Sequence, residues 1–217
     1  MKIGIIQASS QKSKNRILDR CVRDAAGAEH EVINFGIYED DKREFSYIQA
    51  AVCVGLLLES KSVDFVVTGC SSGQGMMLAC NTLPGVLCGY VANVSDAYLF
   101  GRINNGNAVS YPLGLNWGWG AEINLTETLR ALFSTPMGMG YPKEEAWRKI
   151  RDAGLLKEMN RFGKVDFGDF VRNLREREEK LSRDAIWYPP VFEYVMEHGV
   201  DRIKEVIICE GQKNEFT

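Results

Sequence analysis

A single heptapeptide, Gly69-Cys70-Ser71-Ser72-Gly73-Gln74-Gly75, gathers the groups that proton transfer on a carbonyl compound requires. A thiolate accepts a proton, serine hydroxyls donate to an oxyanion, and glycines admit close backbone approach and positive φ. The stretch Asp64 to Thr68 before it is short and β-branched, and the residues after it read as a helix to about Asn81. Cys70 therefore stands where a buried strand hands over to a helix, within reach of the helix end whose unpaired N–H groups favour an anionic sulfur. The chemistry this suits is removal of a proton alpha to a carbonyl. Cys70 would be the base, and backbone N–H groups with Ser71 and Ser72 would stabilise the enediolate, with no cofactor required. The residues alone leave a second reading open, because any parallel sheet carries Gly/Ser-rich turns in which a cysteine can be incidental.

Other chemistries are less well provided for. Gly73-Gln74-Gly75 runs into Met76, Met77 and Leu78 instead of completing a GxGxxG dinucleotide fingerprint, and the chain holds no GxxxxGK[ST] phosphate loop. The six cysteines, at 21, 53, 70, 80, 88 and 209, form no CxxC pair and have no histidines at zinc-ligand spacing, which indicates neither a disulfide framework nor a metal site. A net charge of -3 gives no electrostatic reason to expect nucleic acid or an anionic membrane as partner. No apolar run reaches the ~18 residues a membrane span needs, and Met1-Lys2 leads straight into Ile3-Gly4-Ile5-Ile6 without the shape of a signal peptide. The expectation is a cytoplasmic protein that binds a small molecule.

The elements that must position the heptapeptide follow from periodicity. Residues 1–135 alternate short β-branched runs with longer amphipathic ones: strands at Lys2 to Gln7, Glu31 to Phe35, Asp64 to Thr68, Val86 to Val91 and Ala108 to Leu113. Between them lie helices at 13–26, Phe45 to Glu59, 76–81 and Ser95 to Ile103, with Glu122 to Phe133 last. This predicts an α/β domain, a Rossmann-like five-stranded parallel sheet with flanking helices. A Gly-, Met- and Pro-rich linker at 136–142 precedes a mainly helical C-terminal extension at 143–217, with helices at 143–160, 166–182 and 189–199 and a short strand at Glu205 to Cys209. The extension is expected to be structural, because Trp147, Phe162, Phe167, Phe170, Trp187, Tyr188 and Phe192 are too many aromatics to leave wet.

The heptapeptide with Val63-Asp64 before it and Leu78-Ala79-Cys80-Asn81 and Pro84-Gly85-Val86 after it resembles the central signature of the ribose-5-phosphate isomerase B and galactose-6-phosphate isomerase family. In one branch of that family the base is a cysteine at the position of Cys70, in another a glutamate at that of Met76. Ser95-Asp96-Ala97 and Arg102-Ile103-Asn104-Asn105-Gly106-Asn107 resemble a second family segment, in which Asn104 would reach a neighbouring subunit's site. The resemblance covers about residues 1–135. It implies an aldose–ketose isomerase acting on a phosphorylated sugar, cofactor-free, assembled as a homodimer or homotetramer. It implies Cys70 and Ser72 as catalytic residues, and Ser9, Tyr47, Ser71, Gly73, Gly75, Arg102 and Asn104 as substrate contacts.

The departures are as informative. Ala8-Ser9 replaces the family's Asp-His pair, and Ile103 replaces the histidine before Asn104, so groups used to open a sugar ring are missing. An open-chain tetrose or pentose phosphate would not need them; a non-catalytic, sugar-phosphate-binding or regulatory subunit would not either. Phosphate calls for cations, and Arg102, Lys12, Lys14, Lys143 and Arg148 are the candidates.

Overall fold

The computed structural model describes residues 1–212. Its core is a parallel sheet of β1 (Lys2–Gln7), β2 (Glu31–Asn34), β3 (Phe65–Cys70), β4 (Cys88–Tyr90) and β5 (Ala108–Pro112), in the order β2-β1-β3-β5-β4. Strand residues alternate between two apolar layers. Ile3, Ile5, Phe65, Val67 and Val109 face one; Ile6, Val66 and Ala108 face the other. Burial on both faces is what near-continuous apolar strands demand.

The first layer is closed by α1 (Asn15–Ala26), α4 (Val94–Leu99) and α5 (Ala121–Phe133), through Leu18, Val22, Ala97, Leu125, Leu129 and Leu132. The second layer is closed by α2 (Tyr47–Glu59) and α3 (Gln74–Thr82). Helix α2 is apolar on every side: Ala50 to Leu57 are all buried. One face covers the sheet and the other lies under the C-terminal helices α7 (Phe167–Arg177), α8 (Glu179–Ile186), α9 (Pro189–His198) and α10 (Asp201–Gln212). Phe167, Val171, Ile186, Tyr188, Val191, Val195, Ile203 and Ile207 thus join the same core, and the Tyr188 hydroxyl donates to the Phe35 carbonyl at 3.1 Å. Each fully buried side chain of this kind contributes roughly 1.5–3 kcal/mol.

Helix α6 (Ala146–Phe162) differs. Of its residues Ala153 is the buried one, while Trp147 is 67% and Phe162 78% exposed, so these two aromatics are not covered within the chain. Two expected elements are corrected. Residues 205–209 lie inside α10, because Ile203 and Ile207, one helical turn apart, bury in the core layer beside α7, and the short run Val206-Ile207-Ile208 carries no period of its own. The helix expected at 166–182 is two, broken at Glu178, whose φ of -140° and ψ of 59° are not helical. Among the described residues no helix is long and apolar enough to cross a membrane.

Candidate active site

The carboxyl ends of β1 and β3 and the amino ends of α2 and α3 surround a cavity of about 420 Å³. Cys70 is the last residue of β3, not a member of the turn, and is 8% exposed. Its backbone is held by pairing with Pro112 and by the Leu113 N–H, which donates to the Cys70 carbonyl at 2.9 Å. Glycine is required just before it: a Cβ on Gly69 would lie 2.4 Å from the Tyr111 carbonyl oxygen. Gly73 takes φ +74° to cap α3, and its carbonyl accepts the buried Ser110 hydroxyl at 2.7 Å. The first-turn N–H groups of α3, from Gln74 to Met76, have no carbonyl partner within the helix.

The two turn serines are already acceptors. Gln11 Nε2 donates to Ser71 Oγ at 2.7 Å, and the Gln74 N–H donates to Ser72 Oγ at 3.3 Å. Their hydroxyl hydrogens are therefore free to donate to an oxyanion placed beside Cys70. Ser9 is clamped to Phe45 in both directions: its N–H donates to the Phe45 carbonyl at 2.8 Å and its Oγ accepts the Phe45 N–H at 3.0 Å. That clamp delivers Ser46 and Tyr47 to the cavity mouth. There Ser46 and Gln49 form a reciprocal capping box that starts α2, with bonds of 3.2 and 2.7 Å. Behind the loop, Gln7 Nε2 donates to the Ile37 carbonyl at 2.8 Å, and Asn15 donates to Gln7 and Asn34 at 3.0 and 3.1 Å, which fixes where residues 35–46 leave the sheet.

Six of the expected residues, Ser9, Tyr47, Cys70, Ser71, Ser72 and Gly75, line this cavity, and Gly73 supports it from behind. Two do not. Arg102 is 2% exposed, and its guanidinium donates to the Leu132 carbonyl at 2.8 Å and to Thr135 and Pro136, bracing the end of α5. Burial lowers its pKa. Asn104 is exposed at the opposite edge of the sheet, before β5 begins. The other cations are placed elsewhere: Lys12 Nζ donates to the Asp41 carbonyl at 2.6 Å, Lys14 Nζ lies 5.1 Å from the centre of the Trp117 ring, and Arg148 pairs with Glu145 and Asp152. Gln11, Ser10 and Ser46 were not singled out in the sequence; the only available signal was a polar run directly after an apolar strand. Among the described residues no group of three or more His, Cys, Asp or Glu is placed to hold a metal ion.

A sequence model of the Ribose/Galactose Isomerase family matches residues 4–144. No curated relative matches the chain. Among solved structures, that of a 4-deoxy-L-threo-5-hexosulose-uronate ketol-isomerase complexed with a tartrate is similar over 98% of this chain and 98% of that one, at 36% identity and a TM-score of 0.88. A ribose-5-phosphate isomerase LacAB_rpiB from Vibrio parahaemolyticus is similar over 96% and 98%, at 35% identity and a TM-score of 0.88. A type B ribose 5-phosphate isomerase from Trypanosoma cruzi, at 21% identity, shares the fold over 74% of this chain and 98% of its own, with a TM-score of 0.62.

Proposed function

Since the chain belongs to the ribose/galactose isomerase family and is a sugar isomerase, we propose that it interconverts the aldose and ketose forms of an open-chain sugar bearing a terminal anion, with Cys70 as the proton-transferring base. The observation that carries this reading is the cavity lining. Cys70 and Tyr47 are its titratable side chains, and Cys70 is flanked by two serine hydroxyls and the amino end of α3. The thiolate removes the proton from the carbon next to the carbonyl. Ser71, Ser72 and the helix N–H groups hold the enediolate oxygens, and the thiol returns the proton to the neighbouring carbon. The reaction is balanced within the substrate, so no external oxidant or reductant enters.

The family and the Vibrio parahaemolyticus structure favour a phosphate as the terminal anion. A carboxylate is the second reading, supported by the 36% identity to a hexosulose-uronate ketol-isomerase and by the lack of any cationic side chain among the residues lining the cavity. A uronate of that class carries no hydroxyl at carbon 4 and a ketone at carbon 5, so the direct furanose and pyranose closures of an ordinary aldose onto carbon 1 are missing. Incubation in deuterium oxide with tetrose phosphates, ribose 5-phosphate and an open-chain keto-uronate tests both readings. Exchange at the carbon alpha to the carbonyl, together with interconversion, is expected for one of the open-chain compounds. Binding without exchange or interconversion on the whole panel would sink the proposal.

The reading includes a second copy of the chain. Asn104 and Cys70 are separated by at least the length of β5, roughly 13 Å, so Asn104 serves a neighbour's cavity or none. The exposed aromatics of α6 supply apolar surface for such an assembly, a homodimer or homotetramer. Sedimentation is expected to give a dimer or larger at assay concentration; a fully active monomer would contradict the shared site.

A further inference from the structure

The amino-terminal edge of the sheet carries a second and larger opening. A cleft of about 670 Å³ lies where Lys61, Leu87 and Asn107 lead into β3, β4 and β5, and α6 and α10 form its outer wall. Four cations line it, Lys61, Lys157, Arg161 and Arg202, against two carboxylates, Glu59 and Asp166. The chain as a whole carries a net charge of -3, so this is a local reversal of sign. Both carboxylates are engaged by Arg202, at 2.6 Å to Asp166 and 3.6 Å to Glu59. Among the described residues, Lys61, Lys157 and Arg161 have no carboxylate at ion-pair distance.

We propose that this cleft is an effector site for a small phosphate-bearing anion, separate from the Cys70 cavity. Lysine ammonium groups and an arginine fork are the donors a phosphate dianion takes, and here four cations face two carboxylates, with Lys61 and Arg161 near Glu59 but not in contact with it. Partial desolvation, and after it the neighbouring Arg161 charge, lower the pKa of Lys157 although its side chain stays largely exposed. The wall is built. Asn160 Oδ1 accepts the Gly85 N–H at 2.9 Å and its Nδ2 donates to the Val86 carbonyl at 3.0 Å, fastening α6 to the lead-in of β4. Helix α2 runs from Tyr47 at the Cys70 cavity to Glu59 in the cleft, and α3 runs from the Cys70 turn to Thr82, three residues before Gly85. The two helices pack against each other. The Glu59 carboxylate packs against Gly85 so closely that a Cβ there would have no room, so an anion that displaces Glu59 bears on both helix starts that frame the thiol.

Calorimetric titration of inorganic phosphate at constant ionic strength tests this, on the wild-type chain and on a Lys157→Gln, Arg161→Gln double variant. Both replaced side chains are exposed, and the variant is expected to keep the wild-type melting temperature and phosphate-free activity. Wild type should bind phosphate saturably, with KM or kcat changed at least two-fold by it. In the double variant the Kd should rise at least ten-fold and the kinetic response vanish. No saturable binding, an unchanged Kd in the variant, or purely competitive inhibition that survives both substitutions would overturn the proposal. None of these outcomes bears on the Cys70 reaction, which is scored in phosphate-free buffer.

Discussion

Replacing Cys70 with alanine is expected to lower kcat by roughly 10² to 10⁴, the usual contribution of a positioned general base, with KM changed only a few-fold. The split between the two constants follows from the division of labour in the cavity. Ground-state contacts come from the serine hydroxyls and the first-turn N–H groups of α3, which stay in place when the thiol is removed. The backbone at Cys70 is held from the β5 side by its pairing with Pro112 and by the Leu113 N–H, so the variant keeps its turn. Serine at position 70 should be nearly as inactive as alanine, because an alcohol with no adjacent base does not ionise at neutral pH. Stopped substrate deuterium exchange in both variants would locate the loss at the carbon–hydrogen step. Turnover within a few-fold of wild type would remove Cys70 from the mechanism and leave Tyr47 as the titratable group in the cavity.

What the sequence disclosed and what it concealed divide along physical lines. Strands and the Cys70 turn were legible because their signals are local: short, nearly continuous apolar runs such as Ile3 to Ile6, and glycines whose spacing brings a helix start onto a strand end. Ser9 and Tyr47 were placed with the cysteine, yet the clamp from Ser9 to Phe45 that brings Tyr47 in spans 36 residues and leaves no local trace. Arg102 was concealed for the same reason. It sits where a phosphate ligand was expected, but its acceptors belong to residues 132–136, and burial rather than position in the chain decided its role. The second cleft draws on residues from 58 to 202, so no window of sequence displays it. The break at Glu178 and the helical state of residues 205–209 depended on which faces the C-terminal helices turn to the core, which a short apolar run does not specify.

Open-chain substrates are expected to exceed ribose 5-phosphate in kcat/KM by roughly 10²-fold or more, the scale of an absent acid–base step. Opening a furanose ring requires an acid at the ring oxygen and a base at the anomeric hydroxyl. Where the family resemblance places an Asp-His pair, the cavity presents Ala8 and Ser9, and Ile103 lies on the segment before β5, at the far edge of the sheet. Tyr47 and Cys70 are the titratable groups in the lining, and the proposed mechanism already assigns Cys70 to the carbon–hydrogen bond. Lys12 is drawn away by the Asp41 carbonyl. A cyclic substrate must therefore open in solution first, and its efficiency tracks its open fraction, so tetrose phosphates and open-chain keto-uronates share the advantage whichever anion the site prefers. Installing a histidine by Ile103→His should help cyclic pentose phosphates only slightly, because in the proposed shared-site assembly the position would serve a neighbouring cavity that still lacks the Asp-His pair. Ribose 5-phosphate turned over faster than every open-chain compound would refute this. Tyr47→Phe and Lys12→Met would then separate the two side chains left to open the ring.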